Sequence, residues 1–233
     1  MLRNFSSQAF APADRRNTSS QVGEELVATR AAFQVIADLH LAELNRYRVL
    51  VLADCLAMSD THVRQIRDYV MAGGRVCVIG PLATHDEWML PRKQPALGDL
   101  PTARVILAKG PKDVPAAIER ALGDKQSLLV WAKTQPARTA AIAAEDPFYG
   151  LCTETTRRGN QQFVHLVNYR DGASVKNISI RLRVEGGRRV KSVTLASPEA
   201  STDVTATFIQ EGEFVTFEVP KVGIYSVAIV STE

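Results

Sequence analysis

The feature that most constrains the fold is a change in hydrophobic pattern partway along the 233-residue chain. Before about residue 145, apolar strand-like runs alternate with segments of helical spacing. After it, only short alternating patterns follow, separated by turn sequences. Strand–helix alternation favours a parallel sheet covered on both faces, whereas serial short strands favour an antiparallel sandwich. The sequence therefore predicts an α/β domain over residues 1–145 and an all-β sandwich over residues 146–233.

In the first half, two apolar runs predict buried parallel strands, "RVLVLA" at residues 48–53 and "RVCVIG" at residues 75–80. The segment between them predicts a helix with Ser59 as its N-cap and Gly73–Gly74 as its stop. Helical spacing also appears in "EELVATRAAF" and "DVPAAIERAL", and strand patterns appear in "FQVIA" and "ARVILAKG". "LRNFSS" at the start is typical of the end of a first strand.

In the second half, short strands are predicted at "QFVHLVNY", "KNISIRLRV", "RVKSVTLAS", "TATFIQ", "EFVTFEV" and "IYSVAIVS". Turn signals such as Arg-Asp-Gly and Glu-Gly-Gly separate them. We expect most aromatic side chains of these strands to alternate inward, which weakens a sugar-binding role for the sandwich.

The composition limits the possible partners and cofactors. The net charge is only +3 and the arginine pairs are scattered, so no nucleic-acid surface is predicted. No run approaches the 18 apolar residues of a membrane span. The three cysteines, Cys55, Cys77 and Cys152, have neither disulfide-framework nor metal-ligand spacing. We therefore expect a cytoplasmic chain without a metal, and the absence of a glycine-rich phosphate loop predicts no dinucleotide or other cofactor.

The loop "THDEWMLPR" follows the strand "RVCVIG" and carries the polar candidates His85, Asp86, Glu87 and Arg92 together with Trp88. Adjacent Asp86 and Glu87 side chains point to opposite sides of an extended segment, so they do not form a glycosidase pair. The carboxyl edge of an open α/β sheet is where ligand-facing loops lie. We therefore interpret this loop as a structural or interface loop that can border a ligand.

Cys55 raises a second possibility, that of a cysteine hydrolase with His85 as its base. It follows a buried strand, and His85 and Glu87 spell H-x-E after the next strand. A nucleophile elbow, however, requires small residues on both sides of the nucleophile. Cys55 is flanked instead by Asp54 and Leu56, and a neighbouring carboxylate opposes thiolate formation.

Residues 45–100, from "NRYRVLVLADCLAMSD" to "RKQPALGDL", resemble the amidotransferase-like trimerisation domain of family 42 β-galactosidases and related glycoside hydrolases. The later blocks "FVHLVNYRDG" and "VPKVGIYSVAIV" are similar to the β-sandwich that closes such enzymes. The resemblance implies a flavodoxin-like or class I amidotransferase-like first domain that has lost its nucleophile and builds subunit contacts. It also implies a preceding (β/α)₈ barrel that holds the catalytic glutamates. Met89 departs from the family pattern, which favours Gly there.

The resemblance implies a non-catalytic assembly portion of a glycoside hydrolase. Its partners would be further copies of the chain, with a trimer favoured, or a separate catalytic barrel chain. Two alternatives stay open: a carbohydrate-binding accessory protein acting through the sandwich or Trp88, and the hydrolase that uses Cys55 and His85. No complete active site is predicted in this chain.

Overall fold

The computed structural model of the chain describes residues 1–15, 17–123, 126–132 and 146–233. The described chain divides into two compact units. The first comprises Met1–Glu25 and Phe33–Asp124, and the second comprises Leu26–Ala32 and Lys125–Glu233. The polypeptide therefore enters the second unit briefly, returns to the first, and passes into the second again near residue 124.

Within the described residues, the first unit is built on a five-stranded sheet. Its strands are β1 (Leu2–Arg3), β2 (Ile36–Ala37), β3 (Val49–Ala53), β4 (Arg75–Ile79) and β5 (Val105–Ala108). They lie in the order β2-β1-β3-β4-β5, and each adjacent pair is parallel. The last four residues of β3 and of β4 are buried, as expected for strands covered on both faces. The predicted parallel sheet is confirmed.

The helices of this part of the chain are α1 (Phe5–Phe10), α2 (Thr18–Ala28), α3 (Asp60–Met71) and α4 (Val114–Leu122). Helix α3 follows its sequence prediction closely. The Ser59 hydroxyl accepts the His62 N–H at 3.2 Å, and Gly73 follows the helix with φ of 107°. The buried face consists of Val63, Ile66, Tyr69 and Val70.

Helix α2 differs from its prediction. The sequence pattern favoured a helix over residues 24–33, but α2 starts at Thr18 and ends at Ala28. Arg30 takes φ of 58°, a left-handed conformation that interrupts the helical path. The strand predicted in "FQVIA" is shorter than expected, because only Ile36–Ala37 pairs with a neighbour.

The second unit contains two antiparallel sheets among its described residues. The strands of the first, named here the β8 sheet, are β7 (Leu151–Arg158), β8 (Gln161–Asn168), β10 (Val190–Ala196), β11 (Val204–Ala206) and β14 (Tyr225–Thr232). The strands of the second, the β9 sheet, are β6 (Leu128–Ala132), β9 (Val175–Arg183), β12 (Phe208–Glu211) and β13 (Phe214–Val222). The sheets have the orders β11-β10-β14-β8-β7 and β12-β13-β9-β6.

Both sheets contribute to one apolar core, which makes this unit a β-sandwich. Buried residues alternate along β8 and β14, as expected when one face of each strand is covered. Val164 from β8, Ile180 from β9, Phe217 from β13 and Val230 from β14 lie in the same buried cluster. The chain thus combines a parallel-sheet unit with an antiparallel sandwich unit, as the sequence predicted.

The junction between the units differs from the predicted domain ranges. The predicted boundary follows residue 145, and residues 133–145 lie outside the described residues. Strand β6, assigned by the sequence interpretation to the α/β half, pairs antiparallel with β9 in the sandwich. Its residues alternate between buried and half-buried, a pattern that a five-residue apolar run such as "LLVWA" does not reveal in sequence.

The short segment Leu26–Ala32 is anchored to the second unit by Arg30. The Arg30 guanidinium lies 2.8 Å from an Asp146 carboxylate oxygen, and both side chains are largely buried. It also donates to the Phe148 carbonyl at 3.3 Å and stands over the Phe148 ring at 5.6 Å. The Thr153 hydroxyl donates to the Arg30 carbonyl at 3.3 Å. No helix in the described part of the chain combines the length and apolar character needed to cross a membrane.

Candidate functional site

The loop predicted from sequence follows β4 at the carboxyl end of the strand and joins the segment that follows β3. His85 forms isolated bridges with Ala57 and Pro91. Its N–H donates to the Leu56 carbonyl at 3.0 Å, and its carbonyl accepts the Met58 N–H at 3.1 Å. The start of the loop is therefore held by backbone hydrogen bonds.

Asp86 organises the tip of the loop. One of its carboxylate oxygens accepts the N–H groups of Trp88 and Leu90, each at 2.9 Å. The Asp86 N–H donates to the Leu90 carbonyl at 2.9 Å, and the Met89 N–H donates to the Asp86 carbonyl at 3.1 Å. Met89 has φ of 66°, so the turn requires a left-handed residue there, which gives a physical reason why a family pattern would favour Gly. The carboxylate of Asp86 is thus used to shape the turn.

Arg92 closes the loop from the other end. Its guanidinium lies 2.7 Å from the Asp60 carboxylate and donates to the Met58 carbonyl at 2.9 Å. Its Nε donates to the His85 carbonyl at 3.3 Å, and its backbone N–H donates to the Thr84 carbonyl at 2.9 Å. These contacts direct the Arg92 guanidinium to groups of its own unit.

Two apolar side chains project from this hydrogen-bonded turn. Trp88 is 73% exposed and Leu90 is 62% exposed. Glu87 and His85 are half-buried, and His85 Nδ1 lies 2.9 Å from the Thr84 hydroxyl. The structure therefore brings the five predicted residues into one loop but divides their roles. Asp86 and Arg92 hold the backbone, while Trp88 is presented outward.

Cys55 has the environment of an inert core thiol. It is 1% exposed, and its Sγ lies 3.7 Å from the Ala53 carbonyl oxygen. Burial, followed by the charges of Asp38 and Asp54, raises the pKa of the Cys55 thiol to about 12. The thiolate is the nucleophilic form of cysteine, and at neutral pH such a thiol holds almost none of it. This argues against the hydrolase alternative.

The left-handed residue after β3 is Asp54, with φ of 45°. Its carboxylate accepts from the Thr18 hydroxyl at 2.5 Å and lies 3.1 Å from the Arg15 guanidinium. A Cβ at Gly80 would overlap this carboxylate. Asp54 thus connects the amino-terminal segment to the ends of β3 and β4. Across the described residues, no group of three or more His, Cys, Asp and Glu side chains is arranged to hold a metal.

The sequence interpretation missed a row of rings on the sandwich. Phe163 and His165 alternate with fully buried Val164 along β8, so they lie on the outer face of the β8 sheet. Neighbouring ring centroids are 6.3 Å apart for Phe163 and His165 and 6.2 Å apart for His165 and Tyr225. The sequence did contain a signal for this row. Residues i and i+2 of a strand lie on the same face, so Phe163 and His165 lie on the face opposite to that of the apolar Val164. The expectation that most aromatic side chains alternate inward did not take this pattern into account.

Several solved structures share the fold over nearly all of the chain. The α-L-fucosidase isoenzyme 2 from Paenibacillus thiaminolyticus matches 100% of the chain with a TM-score of 0.67 at 14% identity. An apo GH42 exo-carrageenase from Bacteroides ovatus matches 100% with a TM-score of 0.56 at 12% identity. A catalytic mutant of Gan42B, a GH42 β-galactosidase from G. stearothermophilus, matches 99% with a TM-score of 0.58 at 12% identity.

The chain spans 48%, 29% and 40%, respectively, of the lengths of these three proteins. At these identities the matches establish a shared fold. No protein-family model matches the chain, and no curated protein matches it by sequence.

Proposed function

We propose that this chain is the non-catalytic assembly portion of a larger glycoside hydrolase, with a β-galactosidase as the favoured parent. The three structural neighbours are a fucosidase, a carrageenase and a β-galactosidase by name, and the chain corresponds to less than half of each. This partial coverage leaves room in such a parent for a (β/α)₈ barrel, which takes about 200–250 residues. The catalytic groups would lie in that barrel, in the same polypeptide or on a separate chain.

The proposal includes a flavodoxin-like or class I amidotransferase-like identity for the first unit. The strand order β2-β1-β3-β4-β5 supports it, because flavodoxin-like sheets have this order. Burial of the Cys55 thiol supports a domain that does not use amidotransferase chemistry. A cytoplasmic location is part of the same proposal, and the free state of Cys55, Cys77 and Cys152 suits a reducing compartment.

The observation that carries the assembly role is the exposed pair Trp88 and Leu90 on a turn held by Asp86 and Arg92. Interface cores are enriched in aromatic residues, and charged side chains are more frequent at the rim. A loop already fixed by hydrogen bonds loses little conformational freedom when a partner covers it. We assign this loop to the contact between copies of the chain, in a trimer, where it would border the active site of a partner.

Sedimentation velocity of wild type and of Trp88→Ala over a concentration series tests this assignment. If Trp88 is an interface anchor, its loss weakens association by at least about 2 kcal/mol, a shift of roughly thirtyfold in dissociation constant. The matched control is Leu107→Ala, because Leu107 is 75% exposed on β5 of the same unit. A monomeric wild type at high concentration, or an oligomer weakened equally by both substitutions, would contradict the proposal.

A further inference from the structure

We propose that Phe5 and Leu39, here called the Phe5 patch, form the surface on a neighbouring copy of the chain that receives the Trp88 loop (residues 84–92). The inference rests on the trimer of the proposed function and names the partner surface within it. Contacts in a ring of identical copies are heterologous, so each copy must present two different surfaces. The Trp88 loop supplies one of them, and the second must lie elsewhere on the same chain.

The Phe5 patch consists of two exposed apolar residues at the ends of neighbouring strands. Phe5 is 72% exposed at the start of α1, and Leu39 is 78% exposed shortly after β2. Strands β1 and β2 are parallel, with Arg3 opposite Ala37, so Phe5 and Leu39 follow the paired ends of both strands. Exposed apolar residues that adjoin one another mark interaction surfaces, whereas single ones are ordinary.

Asp38 holds the backbone of the patch. One of its carboxylate oxygens accepts the Phe5 N–H at 2.8 Å, and the other accepts from the Asn4 side-chain amide at 2.9 Å. The Asn4 side chain in turn caps α1, because its oxygen accepts the Ser7 N–H at 2.9 Å. Like the Trp88 loop, this surface is already fixed, so it loses little conformational freedom when a partner covers it.

A closed ring also requires that the two surfaces of one copy keep a fixed angle to each other. Ala57, in the segment after β3, provides this link. The Ser7 hydroxyl of α1 donates to the Ala57 carbonyl at 3.1 Å and accepts the Ala57 N–H at 2.9 Å. Ala57 also forms a bridge with His85 in the Trp88 loop. Helix α1, which begins at Phe5, and the Trp88 loop are therefore attached to the same residue.

The charges beside the two surfaces are opposite in sign. Glu87 precedes Trp88 and is half-buried, whereas Arg3 lies on β1 two residues before Phe5 and is exposed. Neither side chain takes part in an ion pair among the residues that the structure describes. When the Trp88 loop of one copy packs against the Phe5 patch of the next, Glu87 and Arg3 can pair at the polar rim of the contact.

Mixing two variants of the full chain tests this inference by sedimentation velocity. Trp88→Ala keeps an intact Phe5 patch, and the double variant Phe5→Ala, Leu39→Ala keeps an intact Trp88 loop. Each variant alone should associate at least about thirtyfold more weakly than wild type. In a mixture, the two can form one complete contact. Trp88→Ala with a fluorophore on Cys152 of the second unit should therefore bind the double variant about thirtyfold more tightly than it binds itself, and stop at two copies.

The double variant Met71→Ala, Leu107→Ala is the matched control, because both side chains are comparably exposed in the same unit. It should associate as wild type does, and an equal loss in this control would contradict the inference. If wild type stays monomeric, or Trp88→Ala associates as wild type does, the assembly proposal itself fails. If Trp88→Ala weakens association but Phe5→Ala, Leu39→Ala does not, or if the mixture gains no affinity, assembly stands and the Phe5 patch is not its partner surface.

A charge exchange gives a second test that does not depend on folding of the double variant. Arg3→Glu should weaken association several-fold, because it places a second carboxylate opposite Glu87 of the neighbouring copy. Glu87→Arg in the same chain should restore the association. An Arg3→Glu chain that associates as wild type does, or a loss that Glu87→Arg does not restore, would show that the two surfaces are not partners.

Discussion

At the residue scale, the cysteines show how environment decides chemistry. Cys55 and Cys77 are buried in the first unit, and burial raises their thiol pKa values to about 12 and about 11. Cys152, on β7 of the sandwich, is half-buried, and its thiol pKa is also raised by burial. In sequence, Cys55 looked like a candidate nucleophile because of its place after a strand, whereas in the structure it is an apolar core residue.

A thiol-labelling experiment checks this distinction. With a thiol reagent at pH 8, we expect Cys152 of the native protein to react first, and Cys55 and Cys77 to react only as the protein unfolds. The folded state keeps the Cys55 proton up to about pH 12, whereas an ordinary thiol loses it near 9.0. The contribution of the Cys55 thiol to the free energy of unfolding is therefore fully present below about pH 9 and is lost as the pH rises towards 12. Labelling of native Cys55 as fast as Cys152 would contradict the account.

At the element scale, the sequence predicted those elements whose ends are set by residues within or next to the element itself. Helix α3 has its cap at Ser59 and a left-handed Gly73, and both are visible in sequence. Strand β6 lies within the range 1–145 predicted for the first domain, but it pairs with β9, which is remote in sequence, so no local pattern predicts its place in the sandwich. The Trp88 loop was recognised from its composition, but its exposed tip depends on contacts of Arg92 with Met58 and Asp60 that no local pattern encodes.

The Arg30–Asp146 pair gives a prediction for the segment between α2 and β2. Arg30→Met leaves the buried Asp146 carboxylate without its guanidinium, so we expect the free energy of unfolding of the second unit to fall by about 3–5 kcal/mol. Urea denaturation measures this loss when unfolding is monitored by a spectroscopic signal that comes from the second unit. The control is Glu43→Gln, which breaks an exposed ion pair with Arg46 and should cause no measurable change. If Arg30→Met and wild type had the same free energy of unfolding, Arg30 would not be the anchor of this segment.

At the scale of the whole molecule, the assembly proposal concerns one of the two units. The proposed contact residues, Trp88 and Leu90, belong to the first unit. Because the sandwich is a separate compact unit, a substitution on its outer face should not change the association of copies of the chain. Phe163→Ala should therefore leave the dissociation constant of the oligomer unchanged, and sedimentation velocity measures that constant.

Hydroxyl-radical footprinting over a range of protein concentrations tests the central claim most directly, because it reports which side chains become covered as copies associate. The account predicts that labelling of Trp88 and Leu90 falls as the oligomer forms. Labelling of Tyr169, which is 74% exposed in the sandwich, should stay constant as an internal reference. Association with unchanged labelling of Trp88 would place the contact elsewhere, and a chain that stays monomeric at every concentration would contradict the assembly role.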